Sequence, residues 1–218
     1  ALYLMPVFGG GDEVENVDLY FLNAGYGNQD TAPILASIRE HDPEFINIVE
    51  LSEGLATSIK ELGYLPKYEH FNKYDSLGWY VHPRWKNKTA QEWVDDSFPY
   101  PVGSLCIGDL KVWASAFEHD PCPVKVFTFH PYPPFVEEVW SNQQVVFQQV
   151  SDLITADPEQ PFILLGDLNS TPYSAIFKEH FWEYSEKVLY TWNRKDWGSP
   201  WGIVTALPID HAFGTARF

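Results

Sequence analysis

The sequence predicts an α/β (α+β) fold, and three patterns support this prediction. Apolar segments typical of strands alternate with amphipathic segments typical of helices through the first half of the chain. Short segments of alternating polarity, typical of antiparallel strands, follow in the middle. The apolar run 162–165, between Pro161 and Gly166, is typical of a strand buried on both faces. Because the chain has 218 residues without a repeat or long linker, we expect one domain over 1–218.

The elements of the first half are bounded by caps and breakers. We expect a strand at Val17–Leu22, then a helix that begins after Thr31 and is broken at Asp42-Pro43. A second strand, Phe45–Val49, leads into a helix that Ser52 caps. The predicted order of the first half is therefore strand, helix, strand, helix.

The second half is predicted to add antiparallel strands, a long helix, a shorter helix and further strands. The expected elements are a strand at Leu110–Phe117, a strand at Val124–Phe129, a helix at Glu138–Ala156, a helix from Ser174 to about Phe181, and a strand at Thr205–Phe213. A proline-rich loop, His130–Phe135, joins the second of these strands to the long helix.

The composition excludes a disordered chain, since 45% of the residues are hydrophobic and 17% are aromatic. The net charge of −16 repels polyanions unless metal ions or a local basic patch intervene. A simpler explanation of this charge is that it keeps the protein soluble.

Two features bear on the cellular compartment. Cys106 and Cys122 are the only cysteines, which is compatible with one disulfide in an exported protein and equally with two buried thiols. The apolar start, Ala1–Phe8, is too short to span a bilayer. It is the trimmed end of a membrane segment or signal region, or an edge strand.

Polar side chains follow the predicted strands where each strand ends. They are Asn23, Glu50, His130, the pair Asp167 and Asn169, and Asp210-His211. Each alone is more often a loop cap or a solvated residue than a functional one. Together they supply oxygen donors and imidazole, at strand ends where α/β sheets tend to bind ligands.

These residue types suit phosphoester chemistry with a hard divalent cation. Mg²⁺ prefers carboxylate, carboxamide and water oxygens and needs few protein ligands. We expect Glu50 to bind the metal and Asp167 to orient or deprotonate the attacking water. Asn23, Asn169 and His130 are then the candidates for holding the phosphate.

The order of these motifs resembles the endonuclease/exonuclease/phosphatase superfamily, which includes deoxyribonuclease-like enzymes. The matching segments are Leu22-Asn23, Asp42-Pro43-Glu44, Ile48-Val49-Glu50, Thr128-Phe129-His130-Pro131, Gly166-Asp167-Leu168-Asn169-Ser170-Thr171-Pro172 and Ile209-Asp210-His211. The proline-rich loop, the helix with Trp140 and the ending Pro208-Ile209-Asp210-His211 are most similar to a bacterial branch that often carries N-terminal membrane helices.

The resemblance implies a four-layer sandwich, with two packed mixed β-sheets flanked by helices. It implies Mg²⁺ or Mn²⁺ and hydrolysis of a phosphodiester or phosphomonoester by direct in-line attack of water. Glu50 then binds the metal together with Asn23 and Asp167. His130 and Asn169 contact the scissile phosphate, and Asp167 acts on the water.

One motif departs from the family pattern, which usually closes with a strand bearing Ser-Asp-His. Asp210-His211 is either that pair or the preceding motif, whose Asp orients the closing His; its context favours the second interpretation. The chain then lacks its last strand or is catalytically impaired. The alternative function is therefore a degenerate domain that binds phosphorylated ligands without cleaving them. A third possibility is a purely structural domain, which would require Glu50 and Asp167 to lie far apart.

The expected partner is a phosphoester substrate: a nucleic acid, a nucleotide or a phospholipid headgroup. We expect a monomer, with a membrane tether upstream of residue 1 in a bacterial membrane-anchored or exported protein, or otherwise a cytoplasmic one. The basic segment 82–88 contacts a nucleic-acid backbone or headgroup, or is a solvated hairpin tip. The segment 192–201, with three tryptophans, walls the pocket or packs as core.

Overall fold

The structure is a computed structural model that describes residues 2–4, 7–8, 15–16, 18–25, 27–72, 76–85, 89–94, 102–107, 124–159, 161–184 and 209–214. Its strands are β1 (Leu2–Leu4), β2 (Val7–Phe8), β3 (Glu15–Asn16), β4 (Leu19–Asn23), β5 (Phe45–Val49), β6 (Leu65–His70), β7 (Leu77–Val81), β8 (Thr89–Val94), β9 (Val102–Ile107), β10 (Val124–Phe129), β11 (Phe162–Asp167) and β12 (Asp210–Gly214). Its helices are α1 (Ala32–His41), α2 (Glu53–Glu61), α3 (Glu137–Thr155) and α4 (Ala175–His180), with short 3₁₀ turns at Pro83–Trp85 and Trp182–Tyr184.

The strands form two five-stranded sheets and a separate two-stranded ribbon, β2–β3. The first sheet has the order β1-β4-β5-β7-β6, and the second has the order β12-β11-β10-β9-β8. Each sheet contains one parallel pair, β4–β5 and β10–β11, and its other neighbours are antiparallel. Both sheets are therefore mixed, as predicted.

Three apolar clusters show how the layers stack. The cluster between the sheets comprises Leu19, Phe21, Phe45, Val49, Leu77, Trp79, Val81, Val126, Ile163 and Leu165. A second cluster joins the outer face of the first sheet to α1 and α2, and a third joins the outer face of the second sheet to α3 and α4. The order helices, sheet, sheet, helices confirms the predicted four-layer sandwich.

The parallel pairs place four strand ends together. Helix α1 connects β4 to β5, and helix α3 connects β10 to β11, so both strands of each pair end at the same edge of their sheet. At that edge of the second sheet Gly166 lies against the backbone of β10, where a Cβ would collide with the carbonyl oxygen of Phe129. We call the edge at which these four strands end the site edge, and the opposite edge the far edge.

A polar contact holds the two sheets together inside the apolar layer. Thr128 on β10 donates its hydroxyl to Oδ1 of Asn47 on β5 at 2.9 Å, and Nδ2 of Asn47 donates to the carbonyl of Gly78 at 3.3 Å. Both side chains are fully buried. Because these polar groups are satisfied only in one alignment of the sheets, the contact fixes how β5 lies on β10.

Several predicted boundaries match the structure. The hydroxyls of Ser52 and Ser174 accept the N–H groups of Leu55 and Phe177, each at 3.2 Å, and so cap α2 and α4. Asp42 ends α1 in the left-handed conformation at φ 44°. The side chain of Thr31, in contrast, makes no capping bond.

Other predictions fall partly or wholly outside the described residues. Residues 2–4 at the apolar start form an edge strand paired with β4. The predicted strand at 110–117, Cys122, the tryptophan-rich segment 192–201 and residues 205–208 lie outside the described residues, so the pairing of Cys106 and Cys122 stays open. Among the described helices, none has the length and apolarity needed to cross a bilayer.

Candidate active site

Asn23 bridges the two sheets at the site edge. Its side chain follows Leu19 and Phe21 in the alternation of β4, so it points between the sheets. Its Nδ2 donates to Oε1 of Glu50 at 3.1 Å and to Oδ2 of Asp167 at 2.9 Å, and its Oδ1 accepts the N–H of Gly25 at 2.8 Å. Two carboxylates from different sheets therefore share one amide group.

Glu50 reaches this group through an unusual backbone conformation. Val49 faces the layer between the sheets, so a regular continuation of β5 would turn residue 50 to the opposite face. Glu50 instead has φ 55°, a left-handed conformation that costs a non-glycine residue on the order of 1 kcal/mol or more. Its carboxylate lies 3.5 Å from Nε2 of His130. Such strain is characteristic of functional sites, where surrounding contacts maintain it.

Asn169 follows Asp167 in a tight turn, also at positive φ (45°). Its backbone N–H donates to Oδ1 of Asp167 at 2.9 Å, and its Nδ2 donates to the carbonyl of Pro131 at 2.8 Å. The same Nδ2 lies 3.2 Å from Nε2 of His130. When this ring nitrogen carries no proton it accepts from Asn169, and when it carries a proton it donates to Glu50. The loop after β10 and the turn after β11 are thereby tied together.

The environment of Asp167 shifts its titration. Burial raises the pKa of Asp167 to about 6, the N–H of Asn169 and the amide of Asn23 oppose that shift, and the negative charge of Glu50 adds to it. At neutral pH this carboxylate is therefore mostly ionised and still able to accept a proton. Two adjacent carboxylates favour a cation between them.

Gln143 supports the turn and was missed by the sequence analysis. It is buried on α3, and its Nε2 donates to the carbonyl of Leu168 at 3.1 Å and lies 3.5 Å from that of Asn169. A signal was present, because Gln143 precedes Val146 and Phe147 by three and four residues on the apolar face of the helix. A glutamine at such a position requires a buried hydrogen-bond partner.

The structure separates Asp210 from His211. Asp210 pairs with Asp167 in the β11–β12 register and shares its face, whereas His211 lies on the opposite, helix-facing side of the sheet. Nε2 of His211 lies 2.7 Å from the carbonyl of Ser170, and its ring packs on Phe177 with centroids 4.6 Å apart. His211 is thus not brought together with the other predicted residues, and its catalytic role gains no support from its position.

The described part of the basic segment lies at the far edge. Val81, which precedes His82, pairs with Phe45 at the start of β5, whereas the candidate site lies beyond the end of that strand. Arg84 contacts Glu44 at 3.3 Å and Asp42 at 3.7 Å. Residues 86–88 lie outside the described part of the chain.

The donor set fits a hard divalent cation held by few protein ligands. Within the described residues no group of three His, Cys, Asp or Glu side chains is arranged to enclose a metal. Mg²⁺ does not require one, because it is commonly held by one or two carboxylates together with water and substrate oxygens. Glu50 and Asp167 offer such a pair. Asn23, also predicted as a ligand, directs its amide nitrogen towards the two carboxylates and its oxygen towards Gly25.

A family model described as the Endonuclease/Exonuclease/phosphatase family matches residues 17–218. The chain belongs to this family. Members of the superfamily are phosphoesterases and nucleases, and they generally depend on divalent metals. Family membership therefore supports hydrolysis of a phosphoester as the reaction class.

Solved structures of family members share the fold. D. rerio TDP2, in complex with a single-strand DNA product, is 14% identical with a TM-score of 0.65, and the match covers 91% of this chain and 83% of that one. A mannosyl-6-phosphatase from Bacteroides thetaiotaomicron is 14% identical with a TM-score of 0.59, covering 90% and 84%. The human Nocturnin catalytic domain, with a bound sulfate anion, is 14% identical with a TM-score of 0.53, covering 83% and 72%. No curated protein matches the chain in sequence.

Proposed function

We propose that the protein is a Mg²⁺- or Mn²⁺-dependent phosphodiesterase in which water attacks phosphorus directly. The observation that carries this proposal is the convergence of Glu50 and Asp167 on the amide of Asn23, with bonds of 3.1 and 2.9 Å. These carboxylates come from different sheets and lie beside His130 and Asn169. Such a group supplies both a cation site and hydrogen-bond donors for a phosphate.

Each residue has a role that its surroundings support. Glu50 and Asp167 would hold the metal, whose charge would offset that of the phosphate. Asp167 is the proton acceptor for the attacking water, because it lies beside Glu50 on the amide of Asn23 and next to Asn169, which would contact the phosphate. Asn169 and His130 donate to the non-bridging phosphate oxygens. Asn23 holds the carboxylates of Glu50 and Asp167 next to each other through its amide nitrogen.

Charge favours a diester over a monoester. A phosphodiester carries one negative charge, whereas a phosphomonoester carries nearly two at pH 7. Glu50 and Asp167 already bring two carboxylates to the site, both bonded to the amide of Asn23. A substrate with the smaller charge therefore suits these two carboxylates better.

The test is hydrolysis of bis-p-nitrophenyl phosphate with Mg²⁺ or Mn²⁺, compared with an EDTA-treated sample. Glu50→Gln keeps the shape of the side chain and removes its charge, so we expect kcat to fall about 100-fold or more. Glu61→Gln, at the exposed far end of α2, is the matched control and should retain wild-type activity. Turnover that survives Glu50→Gln, or turnover without any divalent metal, would contradict the proposal.

The position of His211 favours a second candidate function, a degenerate domain that binds phosphorylated ligands without cleaving them. His211 packs on Phe177, so among the described residues the imidazole beside Glu50 and Asn169 is that of His130. This candidate predicts that a phosphate analogue binds in the presence of Mg²⁺ while the diester stays intact. Measured turnover eliminates it.

A further inference from the structure

Exposed apolar side chains are concentrated at the site edge. Among the described residues, seven large apolar side chains are exposed, and two of them, Val145 and Trp182, lie elsewhere on α3 and after α4. The other five, which we call the apolar rim, are Phe71, Phe135, Val136, Trp140 and Tyr173. Scattered exposed apolar residues are ordinary, but a set gathered around one site indicates a binding surface.

The topology fixes where the apolar rim lies. Phe71 directly follows His70, which pairs with Leu77, and Leu77 pairs in turn with Val49 at the end of β5. Tyr173 lies in the turn between Asn169 and α4. Both residues therefore lie at the edge where the candidate active site is formed.

The second-sheet part of the apolar rim is continuous. Phe135 and Val136 end the loop that starts at His130, and the N–H of Trp140 donates to the carbonyl of Val136 at 3.0 Å in the first turn of α3. Phe135 is 89% exposed, Val136 59% and Trp140 50%. Gln143, one turn further along α3, bonds to the turn that carries Asn169, so Trp140 lies beside that turn.

The helix turns beside the apolar rim carry acidic side chains. Three of the six described Lys and Arg side chains, Arg39, Arg84 and Lys125, lie towards the far edge, and Lys60 is paired with Glu69 at 3.0 Å. The first turns of α2 and α3, at the site edge, carry Glu53, Glu137 and Glu138. Proteins that bind single-stranded nucleic acid combine aromatic residues with a positive groove, and anionic membranes require Lys or Arg near the surface. The described apolar rim has aromatic residues beside acids instead.

We propose that the apolar rim inserts into a lipid surface with zwitterionic headgroups, and that the substrate is a phosphodiester lipid within that surface. The second half of this statement rests on the proposed function. Phe135 and Trp140 sit at the headgroup boundary, where aromatic side chains are stable, while the glutamates stay in water. The strand ends that carry Asn23, Glu50 and Asp167 then face the layer in which lipid phosphates lie.

Partitioning of the full chain onto vesicles of pure phosphatidylcholine, measured by flotation without divalent metal, tests this surface. The double variant Phe135→Ser/Trp140→Gln should lower the partition coefficient at least about tenfold. Phe135→Leu/Trp140→Phe, which keeps the apolar area, should restore it to within about threefold. Trp182→Gln removes an equally exposed aromatic residue elsewhere and should leave partitioning unchanged. Anionic lipid added to the vesicles should weaken binding because the protein carries a net charge of −16.

Three outcomes would overturn the proposal: no binding to phosphatidylcholine, equal loss of binding with Trp182→Gln, or retention of binding by Phe135→Ser/Trp140→Gln. Binding of a single-stranded DNA oligonucleotide that depends on Phe135 and Trp140, with no vesicle binding, would assign the apolar rim to nucleic acid. Glu50→Gln should bind vesicles as the wild type does. Failure of the hydrolytic function would appear as unhydrolysed bis-p-nitrophenyl phosphate with vesicle binding intact, so the two failures are distinguishable.

Discussion

Acidification should destabilise the fold through His211. The ring is buried against Phe177 and lies 2.7 Å from the carbonyl of Ser170. Burial lowers the pKa of His211 from 6.5 to about 4, and the contact with the Ser170 carbonyl opposes that shift only in part. The folded state therefore holds the neutral ring, whereas the unfolded chain takes up a proton already near pH 6.5.

The sign and size of the effect follow from proton linkage. Because the folded pKa is the lower one, the unfolded state binds more protons below pH 6.5, and stability falls as the pH falls towards 4. A shift of this size lowers the free energy of unfolding by about 2 kcal/mol between pH 7 and pH 5, and by about 3 kcal/mol at pH 4. Asp167 has the opposite effect on stability. Its pKa is raised in the folded state, so acidification neutralises the carboxylate and removes the cost of burying its charge.

Urea unfolding at pH 7, 6 and 5 measures this effect. His211→Gln keeps a donor for the Ser170 carbonyl and removes the titration, so its free energy of unfolding should lose about 2 kcal/mol less than the wild type between pH 7 and pH 5. Asp167 contributes equally to both proteins and cancels in the comparison. His41→Gln, at an exposed position on α1, is the control and should follow the wild-type profile. Parallel profiles for wild type and His211→Gln would refute the buried, neutral ring.

Two further predictions concern the contacts between layers. Thr128→Val leaves Oδ1 of Asn47 buried without its 2.9 Å bond, so the free energy of unfolding should fall by about 1–3 kcal/mol. The double variant Asn47→Leu/Thr128→Val should lose less stability than the two single variants together, because both polar partners are then removed. Additive losses in urea unfolding would contradict this. Gln143→Leu removes the hydrogen bond that holds the turn at Leu168 and Asn169. The kcat for the soluble diester should therefore fall about tenfold, while KM stays within about twofold. An unchanged kcat would show that the turn keeps its position without Gln143.

The location of the candidate site could be predicted from the sequence because parallel strands end at one edge. Asn23 and Glu50 follow successive strands of the first half, and Asp167 follows the apolar run of the second. That pattern required only the period of the strands and the polar residue after each of them. The structure brings these three side chains together across two sheets.

The remaining features depend on contacts between distant segments, which local patterns do not encode. The left-handed backbone at Glu50 departs from the alternation that its strand predicts. The face that His211 occupies is set by the pairing of Asp210 with Asp167, more than 40 residues away in sequence. Gln143 lies on α3, but its partners are carbonyl groups in a turn after β11. Predicting each of these features would have required the strand register or the packing of another element.

The bond from Asn23 to Asp167 has a consequence for how activity arises during folding. Its partners are separated by 144 residues and belong to different sheets, so neither sheet by itself contains a complete reaction centre. A kinetically trapped chain, with both sheets formed but shifted against each other by a few ångströms, would have native secondary structure and no turnover. Recovery of hydrolysis on refolding therefore reports the final docking of the two halves, which circular dichroism alone would not detect.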